Sequence, residues 1–562
     1  MFLFDKIQTM RPSFQSGLSD FQPLTKADKK VLRSSIFRHL DGIAVAPTAY
    51  ALYKRGVLDY VVQEKEVDLK SVCSVFNANV GYMNVALRLL CSQGWLVQDL
   101  DNSTGTVQFR INEKSAYAFA NAGLYEDVVD LIQFSQRFNK RKFQVESFQK
   151  LNSIIEKYKL DYNINWSSEP LERSVQQQIL KHIEGLLVGP TVVALGMGGM
   201  FHKYFMEVSF KAEEYHSDAD SFSRILDFFT FLDWFEKKEG TYTFTPTGLF
   251  FAKRASAYGV TVSYIPTFSK VEELIFGDPA IFWKGPSGSE EIHVDRKMNV
   301  WGSGGAHTTY FKKIDDIIIE LFNRPIEDQP KGIVDMGCGN GAFLEHLFNV
   351  IEQRTIRGKM LEEHPLFLVG ADYNQAALSV TRANLIQADV WAKVIWGDIG
   401  RPDILAADLE KNYGIDLKDL LNIRTFLDHN RVWEDPSFSK KDRNSLSTGG
   451  FAFRGRRITP NEAEDGLLQH LKKWAPYVKK FGLLVIELHT VDPVIVAQNI
   501  GSTAASAYDA THGFSDQYIV ELDVFRSIAA EAGLHPVELH NSQFPNSKLA
   551  TVSIQLLAEK RE

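Results

Sequence analysis

The sequence predicts an α/β protein with a doubly wound, mostly parallel sheet in its C-terminal half and a smaller α+β unit used twice before it. Three observations predict this. Residues 333–347, Ile-Val-Asp-Met-Gly-Cys-Gly-Asn-Gly-Ala-Phe-Leu-Glu-His-Leu, read as a short apolar strand, a turn with alternating glycines and an amphipathic helix. Further apolar runs at 367–372, 392–398, 420–427 and 482–489 follow in the order of strands and helices expected of an open α/β sheet. In the N-terminal half, one stretch of sequence occurs twice. At 562 residues the chain is too long for a single core.

The repeat is read position by position. His39-Leu-Asp-Gly-Ile-Ala-Val-Ala-Pro47 matches His182-Ile-Glu-Gly-Leu-Leu-Val-Gly-Pro190 at an offset of 143, and the match continues through Thr48 and Thr191, Ala51 and Ala194, Leu52 and Leu195, and Gly56 and Gly199. Downstream, Val85-Ala-Leu-Arg-Leu-Leu-Cys-Ser-Gln-Gly-Trp95 resembles Ile225-Leu-Asp-Phe-Phe-Thr-Phe-Leu-Asp-Trp234 in pattern. Each is followed by a short alternating segment, at 106–111 and 241–245, so each copy reads as helices ending in a hairpin, a winged-helix-like unit. The expected domains are 1–125 and 126–275 for the two units, and 276–562, with an insertion at 432–465, for the sheet. Winged helices often bind DNA. Here the presumed reading helices carry only Arg88 in one copy and Arg224 against two aspartates in the other, too little charge for phosphate contacts. A packing or lid module is expected instead. The basic cluster Arg137–Lys142 reads as a solvated helix face.

Composition is that of a soluble globular protein, with 44% apolar and 23% charged residues. The net charge of −8, with signs intermingled, argues against a broad nucleic-acid surface. Cys73, Cys91 and Cys338 have neither disulfide nor metal spacing, which suits a reducing cytosol. The first residues lack the pattern of a signal peptide, and no uninterrupted apolar run of about 18 residues predicts a membrane span. A cytoplasmic location with no membrane partner is the expectation.

The glycine turn is the first chemical signal. Asp335, Gly337, Gly339 and Gly341 form D-x-G-x-G-x-G, where glycines allow a tight turn and close backbone approach to a ligand. The spacing departs from G-x-G-x-x-G, so a dinucleotide is not the expected ligand. The pattern resembles the first motif of class I S-adenosylmethionine (SAM) methyltransferases. Asp372, followed by Tyr373, ends the next strand and is placed for the ribose hydroxyls. Asp398, followed by Ile399, ends the third and is placed for the adenine amino group. Either acid alone could equally be a helix N-cap. The fourth strand ends in Asp428-His429-Asn430-Arg431 and the fifth in His489, both opening on the same crevice. On residues alone these histidines are bases, metal ligands or strand caps. His512 reads as a loop residue.

The ordered series Asp335–Gly341, Asp372-Tyr-Asn, Gly397-Asp-Ile-Gly, Arg424–Arg431, Glu487-Leu-His489 and Gly513-Phe-Ser-Asp-Gln-Tyr518 resembles the loading-module (initiation) C-methyltransferases of polyketide synthases, those of the saxitoxin and apratoxin pathways in particular. Asp295–Gly304, His307, Tyr310 and Tyr264-Ile-Pro266 belong to the same resemblance. It implies methylation of the α-carbon of malonyl-acyl carrier protein, with a mononuclear metal, iron foremost and manganese or cobalt as alternatives. It also implies His429 and Gln517 as metal ligands, His489 as a third ligand or base, and Arg431 or Tyr518 orienting the substrate carboxylate. A decarboxylase and polyketide synthase are the implied downstream partners, and a stand-alone enzyme acting in trans or a split piece fits a chain that stops after 551–557. Asn430 departs from the saxitoxin-pathway relative, where an acid stands. The cations Lys440, Lys441, Arg443, Arg454, Arg456 and Arg457 could dock an acidic carrier or line a solvated loop. The rival readings are an O- or N-methyltransferase of a free small molecule and a non-catalytic winged-helix regulator that binds SAM.

Overall fold

The structure is a computed structural model that describes residues 22–134, 145–203, 209–285, 291–440 and 442–560. The Arg137–Lys142 cluster, Lys441 and the His307 side chain lie outside what it describes. The chain divides into two compact units, one formed by Met200–Lys253 with the residues up to Leu32, the other by Arg33–Gly199 and Arg254–Glu562.

The smaller unit has the helix-then-hairpin order expected of the second repeat. Asp218 caps the helix Ala219–Phe231 by accepting from the Ser221 amide at 3.0 Å, and strands β4 (Phe235–Lys238) and β5 (Thr241–Phe244) follow as an antiparallel pair. Its core is aromatic. Trp234 stacks on Phe229 and Phe251, with ring centroids 4.6 and 4.4 Å away.

In the larger unit the first repeat supplies strands β1 (Glu66–Asp68), β2 (Val97–Asp101) and β3 (Thr106–Arg110), in the order β1-β3-β2, beside the helix Val80–Ser92. The repeated sequence itself lies on two long helices, Lys26–Lys54 and Pro170–Met197. They cross where neither can carry a side chain. A Cβ on Gly42 would lie 2.3 Å from the His182 Cα, and one on Gly185 would lie 2.3 Å from the His39 carbonyl oxygen. Several contacts recur in both copies, while His39 Nε2 additionally meets Glu184 Oε1 at 2.8 Å. His39 Nδ1 meets the Tyr258 hydroxyl at 2.7 Å, His182 Nδ1 meets that of Tyr125 at 2.7 Å, and Thr48 and Thr191 each bond the carbonyl four residues back at 2.8 Å. The two repeated helices therefore pack on each other about a pseudo-twofold axis. Helix Pro170–Met197 is long and apolar enough to cross a membrane, but 89% of its most apolar stretch is buried inside the protein.

The C-terminal half is a seven-stranded sheet of β6 (Gly332–Met336), β7 (Phe367–Asp372), β8 (Ala392–Trp396), β9 (Leu420–Thr425), β12 (Leu483–Leu488), β13 (His535–Phe544) and β14 (Val552–Ala558). Their order is β8-β7-β6-β9-β12-β14-β13. All neighbours are parallel except that β14 runs antiparallel to both β12 and β13. Apolar side chains alternate onto two cores. Ile314, Leu344, Leu385 and Ile486 pack on one face, and Leu409, Leu467, Val485 and Phe525 on the other, giving three layers. The insertion holds a short hairpin, β10 (Phe451–Phe453) and β11 (Arg456–Ile458), and leads into Pro460–Val478, whose Thr459 and Glu462 form a capping box. Strand β9 ends at Thr425 because Phe426 takes φ +54°, turning Asp428–Asn430 into a 3-10 turn at the crevice.

Candidate active site

The strand order reverses at β6, and the crevice outside the carboxyl ends of β6, β7 and β9 is where an open α/β sheet binds its ligands. Gly337, Gly339 and Gly341 all have positive φ, of 81°, 55° and 82°. A Cβ on Gly339 would find only the Gly337 oxygen, at 4.0 Å, so the middle of the turn faces open space. The turn is tied to β7 by the Gly337 and Cys338 amides on the Ala371 carbonyl, at 2.7 and 3.1 Å. Asp372 then accepts from the Gly339 amide at 3.1 Å through one oxygen and from the Asn374 amide at 2.8 Å through the other. Asp335 is buried behind the turn. Burial, with the charge of Asp372 added, raises its pKa to about 7. Tyr373 is half exposed with its ring 5.7 Å from that of Trp396, beside Asp398, which accepts from the Gly400 amide at 2.8 Å, and Ile399. The cofactor residues expected from the sequence thus follow the ends of three adjacent strands.

The other side of the crevice carries nitrogen and oxygen donors. His429 Nδ1 lies 2.5 Å from Glu487 Oε1, and the His429 amide donates to Oε2 at 3.2 Å. The carboxylate holds Nδ1–H and leaves Nε2 as the free lone pair, as carboxylates behind metal-binding histidines do. His512 donates Nδ1–H to the Tyr508 carbonyl at 2.7 Å, which likewise leaves Nε2. The two rings meet edge-on with centroids 5.0 Å apart. Burial lowers the His512 pKa to about 3, so it is neutral. Backbone bonds lace the segments together: the Gln517 amide reaches the His512 carbonyl and the Tyr518 amide reaches that of His429, both at 2.9 Å.

Several expected roles change. His489 is fully buried, with Nδ1 against the Val520 carbonyl at 3.2 Å and Nε2 against Ser553 Oγ at 2.8 Å. With both ring nitrogens engaged it has no lone pair to give, which corrects its reading as a third ligand or base. Asp428 is turned away from the crevice, paired with Arg424 and 2.9 Å from His470 Nε2, so it anchors the turn rather than serving chemistry. Arg431 is buried over the Tyr518 ring at 5.4 Å and donates to the carbonyls of Asp428 and Ala463 at 2.9 and 3.4 Å. Among the described residues the buried Tyr518 hydroxyl has no hydrogen-bond partner. Sequence reasoning missed His512, read as a loop residue although it stands on the helix Ala505–Gly513, and also Glu487 as the support of His429. The closeness of His512 to Gln517 in the chain was the available signal. The basic stretch of the insertion is spoken for: Lys440 pairs with Glu531, Arg443 with Glu464 and Asp465, Arg454 with Asp516 and Arg456 with Asp435, while Arg457 bonds the Gly105 carbonyl.

A bound metal needs several lone pairs converging on one point. Among the described residues no three His, Cys, Asp or Glu side chains form a metal-holding group. Near one another stands a mixed set of donors: the His429 and His512 rings, each with Nδ1 engaged, and the Gln517 side chain. Imidazole suits iron, as it does zinc, copper and nickel, and carbonyl oxygen suits manganese.

A seven-stranded sheet with one reversed strand before its edge, a glycine turn after the first strand and acids after the next two define a class I SAM-dependent methyltransferase. Residues 291–555 match the AprA MT2-like domain family, residues 184–278 the AprA winged helix domain and residues 32–98 the AprA N-terminal domain. The chain belongs to this AprA-type methyltransferase family. No curated protein matches it. Solved structures that it resembles include an O-methyltransferase family protein from Burkholderia thailandensis, at 9% identity over 66% of this chain and 95% of that one, with TM-score 0.39. The CurJ carbon methyltransferase is 11% identical over 79% of this chain and 99% of that one, with TM-score 0.30. LepI in complex with SAM is 12% identical over 78% and 100%, with TM-score 0.36. Likeness at such scores says nothing about the substrate.

Proposed function

We propose that this protein transfers a methyl group from SAM to the α-carbon of a malonyl group held on an acyl carrier protein. The observation that carries the reading is that His429, with His512 and Gln517 near it, follows the end of β9, the parallel neighbour of β6, which ends in the Gly337–Gly341 turn.

In this reading SAM lies along the turn. Asp372, already oriented by two amides, takes the ribose hydroxyls, and Tyr373, Asp398 and Ile399 surround the adenine. Hydrogen bonds to a charged group are worth about 1.5–3 kcal/mol, so Asp372→Asn is expected to weaken SAM binding by roughly ten- to a hundredfold. Calorimetric titration checks it, and unchanged affinity would move the ribose elsewhere. Asp335 sits beside the cationic methionine end. With its carboxyl at about 7 in the free protein, it is largely protonated below that pH, and a bound cation favours the carboxylate. Binding therefore releases a proton, and SAM affinity is expected to rise by up to about tenfold per pH unit below 7 and to level off above it. Titrations in buffers between about pH 6 and 8 measure this, and Asp335→Asn should flatten the profile.

His429 and Gln517 would hold the metal, with His512 alongside. A metal there supplies a Lewis acid that lowers the cost of forming an enolate next to the sulfonium. The chain does the rest. Glu487 keeps His429 in the tautomer with Nε2 unprotonated, and burial keeps His512 neutral. The unpartnered Tyr518 hydroxyl donates to the substrate carboxylate, with the Arg431 charge behind its ring. Lys440, Arg443, Arg454 and Arg456 are already paired with carboxylates of this chain, which reduces the free charge residues 440–457 offer an acidic carrier. A decarboxylase or polyketide synthase would consume the product.

Intact-mass measurement of malonyl-loaded carrier, incubated with SAM and Fe(II) or Mn(II), tests this proposal. Methyl gain that depends on the metal supports it. Methylation of free hydroxyl or amine compounds with no metal, and none on the carrier, would favour the O- or N-methyltransferase reading.

A further inference from the structure

Gln517 has two chemically different ends, and only its oxygen can bind a cation. Which end faces the crevice is decided by one proton. Ser515 Oγ donates to the Thr511 carbonyl at 2.5 Å, which uses the only proton a serine hydroxyl has. Towards Gln517, 3.0 Å away, Ser515 Oγ can therefore only accept, so the atom facing it must be the amide nitrogen. The same Nε2 donates its second hydrogen to the Tyr264 hydroxyl at 3.0 Å. Both N–H bonds are consumed, and Oε1 is left as the free end.

We propose that Tyr264 and Ser515 are positioning residues that lock the Gln517 carboxamide with its oxygen towards His429 and His512. This rests on the proposed metal site and adds what makes Gln517 a donor. Tyr264 does more than hold the amide. Its ring lies 6.2 Å from that of His512, so one side chain borders two of the three donors. It also lies outside the matched methyltransferase domain and inside the match to the winged helix domain. The preceding domain thus contributes to the site by orienting a ligand. Tyr264 is 4% exposed, with its ring also 6.2 Å from that of His293.

The test uses the full chain and Co(II) alone, whose visible absorption reports the ligand set. Outer-shell partners of metal ligands are typically worth about 10- to 100-fold in affinity. Tyr264→Phe and Ser515→Ala are each expected to weaken Co(II) binding by about tenfold or more and to shift its absorption, while SAM titration, a check on folding, stays as in the wild type. Ser515→Thr, which keeps the hydroxyl, should restore both the affinity and the spectrum. In the background of Gln517→Ala neither change should weaken binding further. Wild-type Co(II) affinity and spectrum in Tyr264→Phe and Ser515→Ala, with a loss in Gln517→Ala, would overturn this proposal and leave the metal reading standing. A wild-type protein that binds no Co(II), Fe(II) or Mn(II) would overturn both.

Discussion

His429→Ala is expected to strip the protein of bound metal and to lower methyl transfer to malonyl-loaded carrier by about a thousandfold. A Lewis acid contributes several kcal/mol to a developing enolate, and each 1.36 kcal/mol is about tenfold in rate. SAM binding should change little, because the residues proposed to hold SAM follow β6, β7 and β8 rather than lying in the turn Asp428–Asn430. Glu487→Gln is the companion variant. It keeps the shape of the support but removes the charge that holds Nδ1–H at 2.5 Å, so metal affinity should fall by about 10- to 100-fold. Elemental analysis of the purified variants and single-turnover mass measurement check both. A metal-free His429→Ala protein that methylates the carrier at the wild-type rate would remove the metal from the mechanism.

The largest effect on stability is expected at the crossing of the two repeat helices. Gly42→Val and Gly185→Val each force a side chain into backbone at 2.3 Å, and the obstruction is a helix rather than a mobile side chain. The helices must separate, so each change should cost about 3 kcal/mol or more, the upper end for overpacking. Urea unfolding measures it. Because either change opens the same crossing, the double variant should lose less than the sum. Wild-type stability in either single variant would contradict the reciprocal packing.

The difference between His489 and His512 shows how far residue types alone could carry the site. Both are histidines near a strand end or in a polar segment close to the cofactor, and sequence reasoning preferred His489. Its nitrogens are taken by Val520 and Ser553, which reach it from 31 and 64 residues away in the chain. His512 instead has its Nδ1 satisfied within its own helix, four residues back, and so keeps Nε2 for the crevice. Asp428 tells the same story. It is the chain neighbour of His429, yet Arg424 and His470 turn it inward. A charge on a short turn points wherever a partner is buried, and partners are set by packing.

What the sequence determined by itself is what local backbone chemistry controls. The glycine turn, the acids after β7 and β8 and the apolar strands were legible because positive φ, strand period and turn residues are short-range properties. The internal repeat was legible too, as spacing. Only the tertiary structure decided that its two helices pack on each other, that β14 is reversed between β12 and β13, and which imidazole and amide atoms are already engaged in hydrogen bonds. These depend on hydrogen bonds between residues far apart in the chain, where one proton, such as that of Ser515, settles which end of a side chain is free to bind.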